Sequence, residues 1–433
     1  MDTNKQEEQS FDIIVAGAGI TGILAANRLC QSLPDAKVLL LDKASRPGGR
    51  ALSPNNEDNW GYGLNFISEK VLNFIEHSYS LEPELSMPES AYERKLATGT
   101  ILAAGKFQDI VLDDCFNAKG AKVLAGNAAV KEWPKIESVL GSRQEPPKNE
   151  VSFAKAWRDG KKNPAVIALH HLSTFCGMAD IWKSSPQAIQ ERLQYFESGL
   201  YSGPWEDLLS QLLSFPSLEG RLSSEFSCRI IEAAYEDKSW RILTEKGTFK
   251  GKAMLVAQSP WQAMEWLDRG DLPIPVLQLA LKSKPTSVVT LSTKHEPCAN
   301  LPDLVYIPAE EVQVLRVSDT GLCYQATIDF ETTLNAPAVV KAIKRLKRAR
   351  KKLEAAREDL KSTREHIALV PIAWSHSAYL SERKIVQKLG QESHFQSAKL
   401  GFCGDSYGDD YSPDVNLVRS LSTACTAISD VMN

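Results

Sequence analysis

Residues 11–50 read FDIIVAGAGITGILAANRLCQSLPDAKVLLLDKASRPGGR. The apolar run Phe11 to Val15 has the length and content of a buried strand. Gly17-x-Gly19-x-x-Gly22 follows at once and opens an Ala- and Leu-rich helical stretch through Leu29. A second apolar run, Val38 to Leu41, ends at Asp42. Strand, glycine turn, helix, strand and acid together make a complete dinucleotide-binding βαβ unit. Gly17 allows the tight turn, Gly19 lets a pyrophosphate approach the backbone, and Gly22 lets the helix pack close to the strand. The free N–H groups at the helix start then face the phosphates. Asp42 lies 20 residues after Gly22, where a carboxylate accepts hydrogen bonds from a ribose.

Arg46-Pro47-Gly48-Gly49-Arg50 follows the acid directly. Two glycines bring the chain close to a ligand, and two arginines offset pyrophosphate charge. An NAD site does not need this extension.

With these motifs the chain resembles the flavin-containing amine oxidase superfamily, which includes monoamine oxidases, protoporphyrinogen oxidases, phytoene-type desaturases and renalase-like proteins. Three further segments carry the resemblance. Gly199 to Leu208 is similar to the family's GG-x-x-x-L helix start. Residues 226–260 are similar to its three-stranded meander followed by a strand ending in Ser-Pro. Leu400-Gly-Phe-Cys-Gly404-Asp405 resembles the second FAD motif, with the next helix starting near Asp414 to Asn416. The resemblance implies FAD, held at Gly17, Gly19, Gly22, Asp42, Lys43, Arg46, Gly48, Gly49, Arg50, Gly404, Asp405 and Val415. The chain departs from the family at Asn416-Leu417, where Gly-Ala is usual, and at Gly61, where an acid is usual.

The expected fold is α/β: a Rossmann-type FAD-binding domain assembled from separated segments, with an α+β substrate domain inserted. The cuts fall at 9–75, 200–272 and 395–433 for the FAD domain, and at 76–199 and 273–394 for the substrate domain. The first insert opens with a hairpin, Lys95 to Val111, and carries an exposed polar loop, Gly141 to Glu150. Helical pattern follows from Ser152 to Glu197. The second insert reads as strands at 276–281, 286–291, 303–307, 312–317 and 322–330, then a helix, then an apolar run from Ile367 to Trp374. There is no second glycine fingerprint, which argues against a built-in NAD(P)H domain.

Composition narrows the classes. A chain of 433 residues has room for two or three domains, and 43% hydrophobic with 24% charged content is that of a globular protein. A net charge of −4 offers no global field for nucleic acid. No apolar run approaches the ~20 residues of a membrane span, and the polar N-terminus lacks a signal pattern. The expected location is cytoplasmic. Eight cysteines without a CxxC pair exclude a dithiol reductase and a zinc ribbon, and read as reduced, mostly buried thiols. Cys403 beside the flavin motif has a packing role on this reading. Seven histidines show no ligand spacing, so no metal is expected.

Residues 337–363 predict a helix with Val339, Ile343, Leu346, Leu353 and Leu360 on one face. Eight of the twelve residues from Lys341 to Lys352 are basic, and the acids come later. That order opposes the helix dipole, so helix stability does not explain it. Two readings stand: a solvated face with Arg350–Glu354 type pairs, or a surface for anionic lipid or an acidic partner through residues 341–352.

A substrate must present a C–H bond to flavin N5. Trp374 matches the family's Trp after the last substrate-domain strand. Trp374 and Tyr379 are candidate pocket walls, His376 a polar contact or base, and Tyr62, with Trp60, a further flavin neighbour. Trp261 after Ser259-Pro260 is another aromatic candidate. Equally, these are core aromatics and an exposed histidine. The leading function is an FAD-dependent oxidoreductase removing a hydride from a C–N or C–C bond of a small or apolar molecule. The alternatives are a lipid desaturase or isomerase at a membrane surface, and a non-enzymatic flavin-bound scaffold.

Overall fold

A computed structural model describes residues 8–51, 67–82, 94–96, 98–111, 117–140, 163–175, 200–202, 205–267, 286–297, 301–318, 320–329, 336–372, 398–407 and 413–432, with isolated positions between them. The βαβ unit forms as the sequence predicts. Strand β1 (Gln9–Ala16) leads through the glycine turn into helix α1 (Ile20–Ser32) and back to strand β2 (Val38–Leu41). Ile13, Ile14, Val15 and Ala16 are all fully buried. A parallel strand covered on both faces needs such an unbroken apolar run.

Short strand β3 (Ile67–Ser68) precedes helix α2 (Glu69–Ser80). Strands β4 (Arg94–Leu96), β5 (Thr98–Ala103) and β6 (Lys106–Val111) follow, then helices α3 (Ala118–Leu140) and α4 (Pro164–Phe175). The predicted hairpin turns at Ala104 and Gly105, both at positive φ. It begins later than expected, however. Lys95 belongs to β4 and pairs with Tyr201 in strand β7 (Leu200–Ser202), which also pairs β3. Helix α3 was not anticipated from the sequence. It is broken at Gly126 (φ 73°) and contains Pro134, and small residues such as Gly120, Ala121 and Ala129 supply much of its buried face.

Helix α5 (Trp205–Leu212) and strand β8 (Leu222–Glu225) lead into the predicted meander. Its strands are β9 (Ile230–Glu236), β10 (Ser239–Thr244) and β11 (Gly247–Val256), followed by helix α6 (Pro260–Ala263). The first sheet runs β8-β2-β1-β11-β10-β9, with β17 (Leu400–Phe402) pairing the far end of β11. Strands β8, β2, β1, β11 and β17 are mutually parallel. Side chains alternate across this sheet. Ile13, Val15, Val38 and Leu40 pack with α1, α2, α5 and the last helix, α8 (Pro413–Met432). Ile14, Ala16, Leu39 and Leu41 pack against the meander.

The second sheet is built from β12 (Thr286–Lys294), β13 (Leu304–Ile307), β14 (Val312–Ser318), β15 (Gly321–Asp329) and β16 (Arg364–Ile372), with β5 and β6 at one end. Its order is β16-β12-β15-β14-β13-β5-β6, antiparallel except for β13 with β5. Helices α3 and α4 cover one face, where Leu304, Tyr306 and Leu315 point. Helix α7 (Ala336–Ala356) covers the other through Ala342, Leu346, Ala349 and Leu353. The expected helix over 337–363 ends about two turns early, at Ala356. The expected strand at 276–281 lies outside the described residues except at Gln278, which is helical and not extended.

Candidate functional site: a glycine cradle closed by a distant acid

The turn between β1 and α1 is set by backbone contacts. Gly17 sits at φ 108°, and its N–H donates to the Leu41 carbonyl at 2.8 Å. A Cβ on Gly17 would come within 2.9 Å of Gln258 Cγ and 3.0 Å of the Ala257 carbonyl oxygen. At Gly22 a Cβ would lie 1.7 Å from the Gly17 carbonyl oxygen, so α1 is seated directly on the turn. Gly19 differs. A Cβ there would meet only Gly49 Cα, at 4.0 Å. Gly17 and Gly22 thus carry the protein's own packing, while Gly19 borders open space.

Helix α1 starts at that opening with Gly19 as N-cap, no side-chain cap and no acid in its first turn. Its first N–H groups have no intrahelical acceptors, and the helix dipole favours an anion there. The arginine motif folds back onto the same turn. Gly48 N–H donates to the Ala18 carbonyl at 2.8 Å. Gly49, at φ 56°, lies so close that a Cβ would reach 2.9 Å from Gly19 Cα. The two glycines of the Arg-Pro-Gly-Gly-Arg stretch are therefore required by contact with the protein as well as by access to a ligand.

Asp42 holds the turn from the other side. Its Oδ2 accepts from Ala18 N–H at 2.6 Å and its Oδ1 from Ala44 N–H at 2.8 Å. Both oxygens keep further acceptor capacity for a ribose. Beside it a cavity is lined by Asp42, Lys43, Arg229, Ile230, Gln258 and Trp266, among others. Trp266 Nε1–H donates to Gln258 Oε1 at 2.9 Å and fixes the amide in that wall. Lys43 is exposed at the rim.

The second motif closes the site from 355 residues away in sequence. Arg50 Nη1 lies 2.9 Å from Asp405 Oδ2, and the Asp405 side chain is only 11% exposed. Strand β17 carries Asp405 to this place, and Gly404 turns the chain there at φ 138°. Ser420 in α8 locks that turn: its Oγ accepts from Gly404 N–H at 2.9 Å and bonds the Gly404 carbonyl at 3.0 Å. Ser420, Gln258, Arg229 and Trp266 were not read from the sequence. Gln258 alone carried a signal, following the carboxyl end of a strand neighbouring β1.

Cys403 is fully buried, and burial pushes its thiol well above the usual range, with Cys425 beside it adding to the shift. Burial likewise raises Cys30 to about 11 and Cys425 to about 12. The five described cysteines are all free and buried, as the sequence reading expected of most. Such thiols are poor nucleophiles. Arg46 and Lys43 complete the described basic groups near the cradle. Val415 lies in the first turn of α8, as expected, but its side chain, like those of Asn416 and Trp261, lies outside the described residues. Trp374, His376, Tyr379, Tyr62 and Trp60 also lie outside them.

The fold has counterparts of known structure. A protein from Exiguobacterium sp. 255-15 provisionally named a protoporphyrinogen oxidase superposes with a TM-score of 0.67 at 14% identity over 98% of both chains. The chain has the fold of the flavin-containing amine oxidases. Wild-type putrescine oxidase bound to putrescine matches this fold with a TM-score of 0.66 at 13% identity, over 98% of this chain and 99% of that one. Cyclohexylamine oxidase from Brevibacterium oxydans IH-35A gives 0.63 at 15% identity over 98% of each. The model of an NAD(P)-binding Rossmann-like domain matches residues 15–70, the span of the cradle itself. No curated protein matches the sequence. Among the described residues no helix is long and apolar enough to cross a membrane.

Proposed function

We propose that this chain is an FAD-dependent oxidoreductase of the amine oxidase type, removing a hydride from a C–N or C–C bond of a small or apolar substrate. The observation that carries the reading is the meeting of Arg50 with Asp405 over an open glycine cradle. A nicotinamide site would need the first motif alone. Here a second, remote motif is delivered to the same opening, as a ligand longer than the cradle requires.

The residues fit FAD. Gly19 leaves the pyrophosphate its space, and the α1 N-terminus with Arg46 and Arg50 offsets its charge. Asp42 accepts from the adenosine ribose, and Gln258 and Trp266 bound the adenosine side. With FAD bound, Asp405 would accept from the ribityl chain, and the N-terminal turn of α8 would offset charge on the flavin ring. When bound, the flavin supplies the redox chemistry, and the protein supplies orientation and electrostatics. The buried, high-pKa thiol of Cys403 favours a non-covalent flavin. Trp374, Tyr379, His376 and Tyr62 remain the proposed substrate-side contacts. Membership of the two seven-stranded sheets supports dividing the chain at 9–75, 200–272 and 395–433 against 76–199 and 273–394, while β4 pairs with β7 across that division.

The purified protein should be yellow and should release intact FAD on denaturation. An amine or an unsaturated-lipid precursor should bleach the flavin anaerobically, whereas NADPH should do so only slowly. Rapid stoichiometric reduction by NADPH would overturn the oxidase reading. Recovery of NAD in place of FAD would overturn the cofactor assignment.

A further inference from the structure

The eight basic residues of α7 divide into two sets. Arg345 donates to Glu311 Oε2 at 2.8 Å and to the Glu310 carbonyl at 2.7 Å. Arg348 and Lys352 meet the two oxygens of Glu310 at 2.8 and 2.7 Å. Arg350 pairs with Glu365 on β16, and Lys347 lies 4.0 Å from the same carboxylate. These contacts hold the flanks of the helix to the sheet. Lys341, Lys344 and Lys351 have no such partner among the described residues, and all three are exposed.

Two of the unpartnered lysines, Lys344 and Lys351, share one face with Lys347, which reaches Glu365 only at 4.0 Å. Val340, Lys344, Lys347 and Lys351 follow the i, i+4, i+7, i+11 spacing of one helix face. That face is opposite the buried Ala342, Leu346, Ala349 and Leu353, so it forms the outer crest of the helix. Val340 on the crest is 47% exposed. Beside it, strand β16 is the edge of the sheet. Ile367 and Leu369 pair with Leu291 and Val289, which point into the α7 cluster, so they share the helix-covered face. Yet they emerge beyond the helix, 38% and 45% exposed. One ridge therefore carries lysines at its crest and aliphatic side chains at its flank.

We propose that this ridge docks on an anionic lipid membrane. Lysines held for attraction and aliphatic side chains left out of the core are the pair of features an interfacial surface needs. The lysines run along one exposed helix crest, so a plane can meet them together, whereas an acidic peptide would need a groove. The docking does not depend on the flavin reading, since none of these residues belongs to the cradle.

The test uses the full flavoprotein and vesicles of phosphatidylcholine with or without phosphatidylserine. Native protein should sediment with anionic vesicles at low salt and be released as salt rises and shortens the screening length, ~8 Å at physiological strength. It should stay in the supernatant with neutral vesicles. The K344Q/K351Q variant should lose affinity on the order of thirtyfold, while flavin content and melting temperature stay native. The I367S/L369S variant should lose a smaller part, and its flavin content reports on folding. Native protein left in the supernatant at low salt, or a lysine variant that binds as well as native, overturns the proposal. Competition by soluble polyglutamate with I367S/L369S binding unchanged also overturns it, in favour of an acidic protein partner.

Discussion

The glycine cradle and the sheet-bound helix α7 are held by opposite means. In the cradle the chain folds on itself through backbone contacts so close that three glycines have no substitute. On the second sheet a 21-residue helix is fastened by long side chains reaching acids on other elements, Glu310 and Glu311 before it and Glu365 after it. The first arrangement tolerates almost no change at its contact points and leaves one deliberate opening. The second is redundant, because Glu310, Glu311 and Glu365 each take part in a separate fastening. Loss of a single contact should therefore be severe in one region and mild in the other.

The largest effect is expected from the smallest substitution. Gly22→Ala adds one methyl group 1.7 Å from the Gly17 carbonyl oxygen, where neither backbone can retreat without parting β1 from α1. The cost should exceed about 4 kcal/mol, in the range where a domain no longer accumulates folded. Soluble yield and thermal unfolding measure it. Gly19→Val adds more atoms and should do less to the fold, since its Cβ would meet only Gly49 Cα at 4.0 Å. That protein should melt near the native apoprotein and carry no flavin. If Gly19→Val retains flavin, the cradle has been misread. If Gly22→Ala melts normally, the claim that backbone contact governs this region fails.

Asp42→Ala stands between these two. It removes a charged acceptor from the Ala18 and Ala44 N–H groups and from the proposed ribose contact. Hydrogen bonds to charged groups contribute about 1.5–3 kcal/mol each, so both stability and flavin affinity should fall without abolishing either. Flavin titration of the apoprotein, beside a melting curve, separates the two losses. An affinity loss with no change in melting would mean that the carboxylate serves the ligand alone.

The same contrast explains what the sequence discloses. Cradle residues sit within one stretch of 40 and obey spacing rules, so Gly17, Gly19, Gly22, Gly48, Gly49 and Asp42 could be read in order. Gly404-Asp405 was legible through a second local pattern, although nothing in the spacing states that Arg50 meets Asp405. The meander and most strands of the second sheet followed from alternation and turn residues. Helix α3 did not, because Gly126 and Pro134 interrupt its pattern and half of its buried face is Gly120, Ala121 and Ala129 beside Trp133, Ile136 and Leu140. The fastening of α7 was equally hidden. The solvated-face reading with Arg350–Glu354 type pairs holds for that pair, at 3.7 Å, but Arg345, Lys347, Arg348, Arg350 and Lys352 also answer acids on other elements. Ion pairs between remote segments leave no periodic trace in either segment.

The smallest effect tests the redundancy of that fastening. Glu311 receives His170 from α4 at 3.2 Å and Arg345 from α7 at 2.8 Å, so it links the helices on the two faces of the second sheet. The His170 hydrogen bond and the Arg345 charge outweigh burial and lower its carboxyl from 4.5 to about 2. A depressed acid contributes stability above its unfolded pKa and loses it as pH falls through the folded value. The contribution should therefore be whole above pH 4.5 and vanish toward pH 2. Taken at face value the shift would represent several kcal/mol, but the side chain is 41% exposed and solvent screens it. The expected loss in Glu311→Gln is about 1 kcal/mol, a fall of roughly 2 °C in melting temperature at neutral pH. Native and variant curves should converge as the pH is lowered from 4.5 toward 2, with flavin content unchanged where both are folded. A loss of several kcal/mol at neutral pH would mean that Glu310 and Glu365 cannot hold α7 without Glu311, and the second region would be as brittle as the first.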